Sequence, residues 1–259
     1  MPGEEERQLL LIQRRRRWWH RMACSLRGEP LVPVLLVSWT SAAFIISYTI
    51  AVLDGHIEPL FPYISDTGAK PPESVIFGIM ITISAVLGAI TMIMKYLMLK
   101  KQNEMTHFNS SCFNLLALCF GILGCIGMSI IASVQELTYP AVHDGGALVA
   151  FVSGTMYIVL QTAISYKLYK EYPQWCTPCI WHTRLVLSVM TIMALFPMIA
   201  CASLISVTKI DWNPGEKDYV YHLVSAVCEW TIAFSFEMFF LTFVSDFQRI
   251  TMHVTMEIH

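Results

Sequence analysis

Six apolar blocks, each about the length of a bilayer crossing, dominate this sequence. They are residues 31–53, 75–99, 113–134, 145–166, 184–207 and 222–245. A hydrocarbon core about 30 Å thick is crossed by roughly 20 apolar residues in a helix. A spanning segment must also satisfy its own backbone hydrogen bonds, which leaves helices or a closed barrel. The strand-sized alternation of a barrel is missing, so helices are expected. Composition agrees: only 14% of the residues are charged and 55% are hydrophobic, against about 25% charged in soluble domains. The expected fold is all-α: one membrane domain over 31–245, a basic N-terminal tail over 1–30 and a short C-terminal tail over 246–259. No 3+3 internal repeat is visible.

Lysine and arginine set the expected orientation, because cytosolic loops are enriched in them. Placing the tails on one side puts 14 of the 17 basic residues there, including Lys95, Arg184 and the run Arg14 to Arg17. The other side receives 3, namely Lys70, Lys209 and Lys217. Both termini are therefore expected in the cytosol. The opposite, lumenal loops carry the acids, among them Asp54, Glu58, Asp66, Glu73, Glu136 and Asp144. The run Leu9 to Ile12 is too short for a signal-peptide core and precedes the arginines, so the first block serves as an uncleaved anchor. Trp18 and Trp19 beside the arginines suit an anionic leaflet surface.

The first lumenal loop, PLFPYISDTGAKPPES, contains Asp66-Thr67-Gly68. Asp-Thr-Gly carries the catalytic carboxylate of aspartic proteases, which need two such groups sharing a proton. A second Asp-Thr-Gly or Asp-Ser-Gly does not occur, and no Asp falls within the six blocks. With Pro59, Pro62, Pro71 and Pro72 around it, the tripeptide is good turn chemistry. Its loss in Asp66→Asn is expected to lower folding yield, not to abolish a peptidase.

The same loop, from Ser65 through Asp66, Thr67 and Gly68, also carries a resemblance. FPYISDTG, WTSAAFIISY, QELTYPAVHDGGAL, DWNPGEKDYVYHLVSAVCEWTIAFSF and FLTFVSDFQ occur in order. Together they closely resemble the damage-regulated autophagy modulator family, above all its stress-induced lysosomal member. The resemblance covers Met22 to the C-terminus, and residues 1–21 are read as an alternative upstream start. It implies a six-helix lysosomal membrane protein that promotes autophagy and couples damage signalling to cell death. It implies no catalytic residue, cofactor or metal, and no enzyme activity.

Other candidates have bland alternatives. Glu229 and Glu237 lie in the last block, where a charge costs about 2.5–3.5 kcal/mol at mid-helix. Eight residues apart, they project about 80° from each other on a helix. They form either a proton- or cation-linked site, as in a solute or lipid transporter, or hydrogen-bonded packing groups. The nearest partners for Glu229 are expected to be His222 and His143. Those two and His56 are open to a pH-sensing role or an ordinary one. Trp175-Cys176-Thr177-Pro178-Cys179 imitates a thioredoxin motif without the strand that precedes it there. His182 adds a third zinc donor where a structural site needs four. A loop with S-acylated cysteines is the simpler alternative. No cysteine lies in a lumenal loop, which excludes a disulfide-stapled ectodomain.

Gly121, Gly124 and Gly127 opposite Ala150 and Gly154 are expected to let two helices approach closely. Pro197 is expected to kink its helix. Glu5, Leu9 and Leu10 match an acidic dileucine signal of the kind sorting adaptors read on cytosolic tails. The expected partners are the lipid bilayer, sorting adaptors and other membrane proteins, and no nucleic acid.

Overall fold

A computed structural model describes residues 30–107, 111–173 and 175–249. Six helices run through it: α1 (Leu31–Leu53), α2 (Glu73–Thr106), α3 (Ser111–Ser133), α4 (Pro140–Glu171), α5 (Pro178–Leu204) and α6 (Tyr219–Arg249). A single 3₁₀ turn, Asp66–Gly68, interrupts the connection between α1 and α2. All six helices are long and apolar enough to cross a membrane. The even number brings the start of α1 and the end of α6 to one end of the bundle, here the terminal end. The other end, holding the 3₁₀ turn, is the loop end.

The helices overrun the apolar blocks. α2 has 34 residues, about 51 Å at 1.5 Å per residue, well beyond the hydrocarbon core. Proline opens α4 at Pro140 and α5 at Pro178; its missing N–H costs nothing in a first turn. α1 ends in a Schellman motif. His56 N–H reaches Ala51 O at 2.8 Å and Gly55 N–H reaches Val52 O at 3.1 Å, with Gly55 at φ 67°.

Each helix packs on the next, and α6 returns to α1, which closes a ring. Met92, Tyr157, Phe239 and Phe243 are buried within it. Ile45, Met193 and Phe196 point outward and are more than half exposed, as lipid-facing side chains are. At Gly127 the α3 and α4 backbones meet: a Cβ there would lie 2.5 Å from Ala150 N and 2.7 Å from Gly146 O. Pro197 does sit inside α5.

The charge count did not show that Lys95, Arg184 and Asp246, all counted or placed on the tail side, are buried within the bundle. α2 continues about three turns past Lys95, and α6 continues past Asp246. Asp144 likewise lies within α4. Lys95 and Arg184 are each 1% exposed and Asp246 is 4% exposed. The last block had been cut at Asp246 and the fourth at Asp144, whereas helix formation continues through both.

Candidate functional site

The connection between α1 and α2 folds into the loop end of the ring instead of lying over it. Asp66 and Thr67 are buried. Locally the segment closes on itself: Tyr63 N–H donates to Asp66 Oδ2 at 2.9 Å, Gly68 N–H to Ser65 O at 3.0 Å and Thr67 Oγ1 to Ile64 O at 2.7 Å. Gly68 is required by proximity, since a Cβ would lie 2.5 Å from Phe77 Cγ.

Three further elements hold the loop. From α6, Glu229 Oε2 accepts the Ile64 N–H at 3.0 Å, and Trp230 Nε1 donates to Pro62 O at 2.8 Å. From α1, Ser47 Oγ lies 3.0 Å from Thr67 Oγ1. From the α3–α4 connection, Glu136 Oε2 accepts Ser65 Oγ at 2.9 Å. Glu229 is therefore tied to loop backbone, not to His222 or His143 as expected. His222 is sandwiched against Trp212, with ring centroids 4.6 Å apart, and Tyr63, at 4.7 Å. His143 Nδ1 lies 2.6 Å from Val134 O, and His56 pairs with Glu73 across the loop end. The three histidines do not gather.

The carboxyls crowd each other. Burial, reinforced by the nearby Glu136, pushes the Asp66 carboxyl well above the usual range, although the Tyr63 N–H opposes it. Burial also raises Glu136, against His143 and the Ser65 hydroxyl. Asp66 Oδ1 is buried without a hydrogen-bond partner. Such a group prefers to hold its proton in a desolvated place.

Two cavities meet at Glu229. The outer one, about 310 Å³, is lined by Tyr63, Glu136, His143, Asp144, Lys209 and Glu229. The inner one, about 140 Å³, lies within the ring and touches Thr40, Ser84, Met92, Tyr157, Glu229 and Glu237. Glu237 Oε2 accepts Ser41 Oγ at 3.0 Å, while its Oε1 is buried and unpartnered. Glu229 thus stands between a polar vestibule and an apolar interior that holds a second carboxyl. The arrangement can bind a cationic or hydroxylated group.

Other sequence candidates do not assemble. Cys176 is buried, Cys179 is exposed, and His182 Nδ1 lies 2.5 Å from Pro178 O. These three do not form a metal-binding group. Glu5, Leu9, Leu10, Cys24, Asn109 and the arginine run lie outside the described residues.

A second polar centre, toward the terminal end, escaped sequence reasoning. Asp246 Oδ2 takes Lys95 Nζ at 2.6 Å and Arg184 Nη2 at 2.5 Å. Arg184 also donates to Ser165 Oγ at 2.7 Å and Thr242 Oγ1 at 2.8 Å. Phe243 lies beneath both cations, 5.3 Å from Lys95 and 5.1 Å from Arg184. A usable signal existed. In MIMKYLML a lone charge has apolar residues on both sides, a pattern that signals pairing in a membrane helix.

No solved structure matches this chain. Its sequence does match known proteins along most of its length. It is 57% identical over 238 residues to DNA damage-regulated autophagy modulator protein 1 of Mus musculus, covering 92% of this chain and 99% of that one. The Xenopus laevis protein of the same name is 48% identical, covering 90% of this chain and 97% of that one. DNA damage-regulated autophagy modulator protein 2 of Mus musculus is 39% identical, with 90% and 89% covered. The profile of the Frag1/DRAM/Sfk1/Cwh43P N-terminal domain matches residues 30–250. That span takes in the ring, the buried loop and the charged centre, and the chain belongs to this family.

Proposed function

We propose that this protein modulates autophagy from the lysosomal membrane, links damage to cell death and acts without catalysing a reaction. Relatives that match it almost end to end carry the name of damage-regulated autophagy modulators. That full-length match is the observation that carries the proposal. Both tails face the cytosol in it. Withdrawing buried Lys95 and Arg184 from the 14 basic residues on the tail side leaves 12, against 3 on the other. The bias survives the correction. Sorting adaptors reading Glu5, Leu9 and Leu10 would deliver the protein, and other membrane proteins would engage its lipid-facing helices. Cells lacking the chain should show reduced autophagic flux that re-expression restores. Leu9→Ala/Leu10→Ala should shift the protein from lysosomes to the cell surface. Unchanged flux on removal and restoration would overturn the proposal.

A specific observation favours a second function, transport of protons or a small solute or lipid. Glu229 lines both cavities, and Glu237 lines the inner one. Reconstituted vesicles should then carry a flux that Glu229→Gln and Glu237→Gln each diminish. Autophagic rescue without flux would leave the modulator role alone.

A further inference from the structure

Where α1 ends and α2 begins, three metal-ligating side chains converge that take no part in the site described above. Asp54, His56 and Glu73 each place a ligand atom within 4.8 Å of the others. The Schellman motif that terminates α1 sets the first two. Asp54 is its C-cap, and the turn through Gly55 brings His56 round beside it. Glu73 is the first residue of α2. His56 Nδ1 lies 2.6 Å from Glu73 Oε1.

Two further observations point to a cation. Glu73 is wholly buried, and its second oxygen, Oε2, has no hydrogen-bond partner. A buried carboxylate oxygen without a donor is costly, and a bound cation supplies what is missing. Among the described residues, no Lys or Arg is paired with Asp54 or Glu73. Asp54 also places negative charge at a helix C-terminus, the unfavourable end of the dipole. Exposure is graded suitably: Glu73 lies at the bottom, His56 is half-buried and Asp54 is open to solvent. A metal could enter from that side and keep a position for water.

We propose that Asp54, His56 and Glu73 form a divalent transition-metal site that clasps the loop end of α1 to that of α2. One imidazole with two carboxylates suits Zn²⁺ and its neighbours, whereas Ca²⁺ and Mg²⁺ take oxygen ligands throughout. The two carboxylates balance the charge of the metal. The bound metal would fix the mouth of the connection that fills the ring.

The test uses the full-length chain, purified in detergent and stripped of metal, with Co²⁺ as the probe. We expect one equivalent of Co²⁺ to give visible d–d absorption that Zn²⁺ displaces, without a thiolate charge-transfer band. Asp54→Asn, an exposed change that leaves folding intact, should weaken binding by about tenfold or more. His56→Gln and Glu73→Gln should abolish the band. Zn²⁺ should raise the thermal midpoint of the parent and leave that of His56→Gln unmoved. Absence of binding would overturn the proposal. So would equal binding by the parent, Asp54→Asn and His56→Gln, or a thiolate band placing the metal on cysteines.

Discussion

Lys95 of α2 and Arg184 of α5 meet on one oxygen of one carboxylate, Asp246 Oδ2 of α6. Two cations share one anion, so the centre is formally one charge positive. Removing the anion leaves two buried cations facing each other, whereas removing Lys95 leaves a neutral Arg184–Asp246 pair. Deleting one partner of a buried pair costs about 3–5 kcal/mol. Asp246→Asn should therefore be the most damaging change at this centre, largely abolishing folded protein. Lys95→Met should be the mildest, because Arg184 retains Ser165 and Thr242. Thermal unfolding of the two variants in detergent measures the order; Lys95→Met matching Asp246→Asn would contradict it.

Gly127 and Gly145 offer a paired test of the α3–α4 contact. A Cβ at Gly127 meets backbone at 2.5 Å, and backbone cannot rotate away; at Gly145 it meets nothing within 4 Å. Gly127→Ala should destabilise by about 1–3 kcal/mol, the usual range for overpacking. Gly145→Ala should be neutral or slightly stabilising, since alanine favours the helix. The difference between their thermal midpoints is the readout.

At Glu229 the loop-backbone bond sets the ranking of substitutions. Glutamine keeps an acceptor for the Ile64 N–H and should preserve insertion and expression. Alanine orphans that N–H, at about 1–3 kcal/mol. Lysine removes the acceptor and adds a cation in a buried place, so Glu229→Lys should impair folding. Size-exclusion profiles of tagged variants from whole-cell extracts rank the three. A Glu229→Lys profile like that of the parent would mean that this position is wet and permissive.

The six helices were legible because apolar length is a one-dimensional property of the sequence. The buried glycines were legible for a similar reason, since small residues at helical spacing mark a close contact whatever the partner. What the sequence hid was pairing. Lys95 and Asp246 are 151 residues apart, and nothing local to either names the other. Read singly, Lys95 counted only toward the positive-inside tally and Asp246 only as the start of a tail. Asp66-Thr67-Gly68 was legible as a turn, and its burial was not. Turn chemistry fixes the backbone locally, whereas burial comes from Glu229, Trp230, Ser47 and Glu136 closing on the turn from distant elements. Glu229 drew attention as a costly charge, but its partner is a backbone N–H, which no sequence pattern displays.

Asn109 belongs to a glycosylation sequon in the α2–α3 connection. Helix count places this connection at the same end as both tails. With that end in the cytosol, the sequon should stay unmodified in cells. A glycosidase-sensitive mobility shift that disappears in Asn109→Gln would reverse the orientation proposed for all six spans.

The folding-yield expectation for Asp66→Asn rested on loss of a turn acceptor, which the substitution does not remove. Asparagine retains an oxygen for the Tyr63 N–H, so Asp66→Asn removes the charge without removing the acceptor. The folded protein holds the Asp66 and Glu136 carboxyls above their ordinary range, through burial first and then, at Asp66, the neighbouring Glu136. A carboxyl raised on folding binds its proton more tightly in the folded chain than in the unfolded one. Its contribution is then complete below the ordinary carboxylate range and is lost as pH rises through the elevated values. The loop end should accordingly be more stable in acid than at neutral pH. Asp66→Asn imitates the protonated form at every pH and relieves Glu136 of a neighbouring charge. Its thermal midpoint should fall less than that of the parent between acidic and neutral buffer, with the two curves converging on the acid side. Parallel curves across that interval would show that Asp66 does not gain its proton on folding.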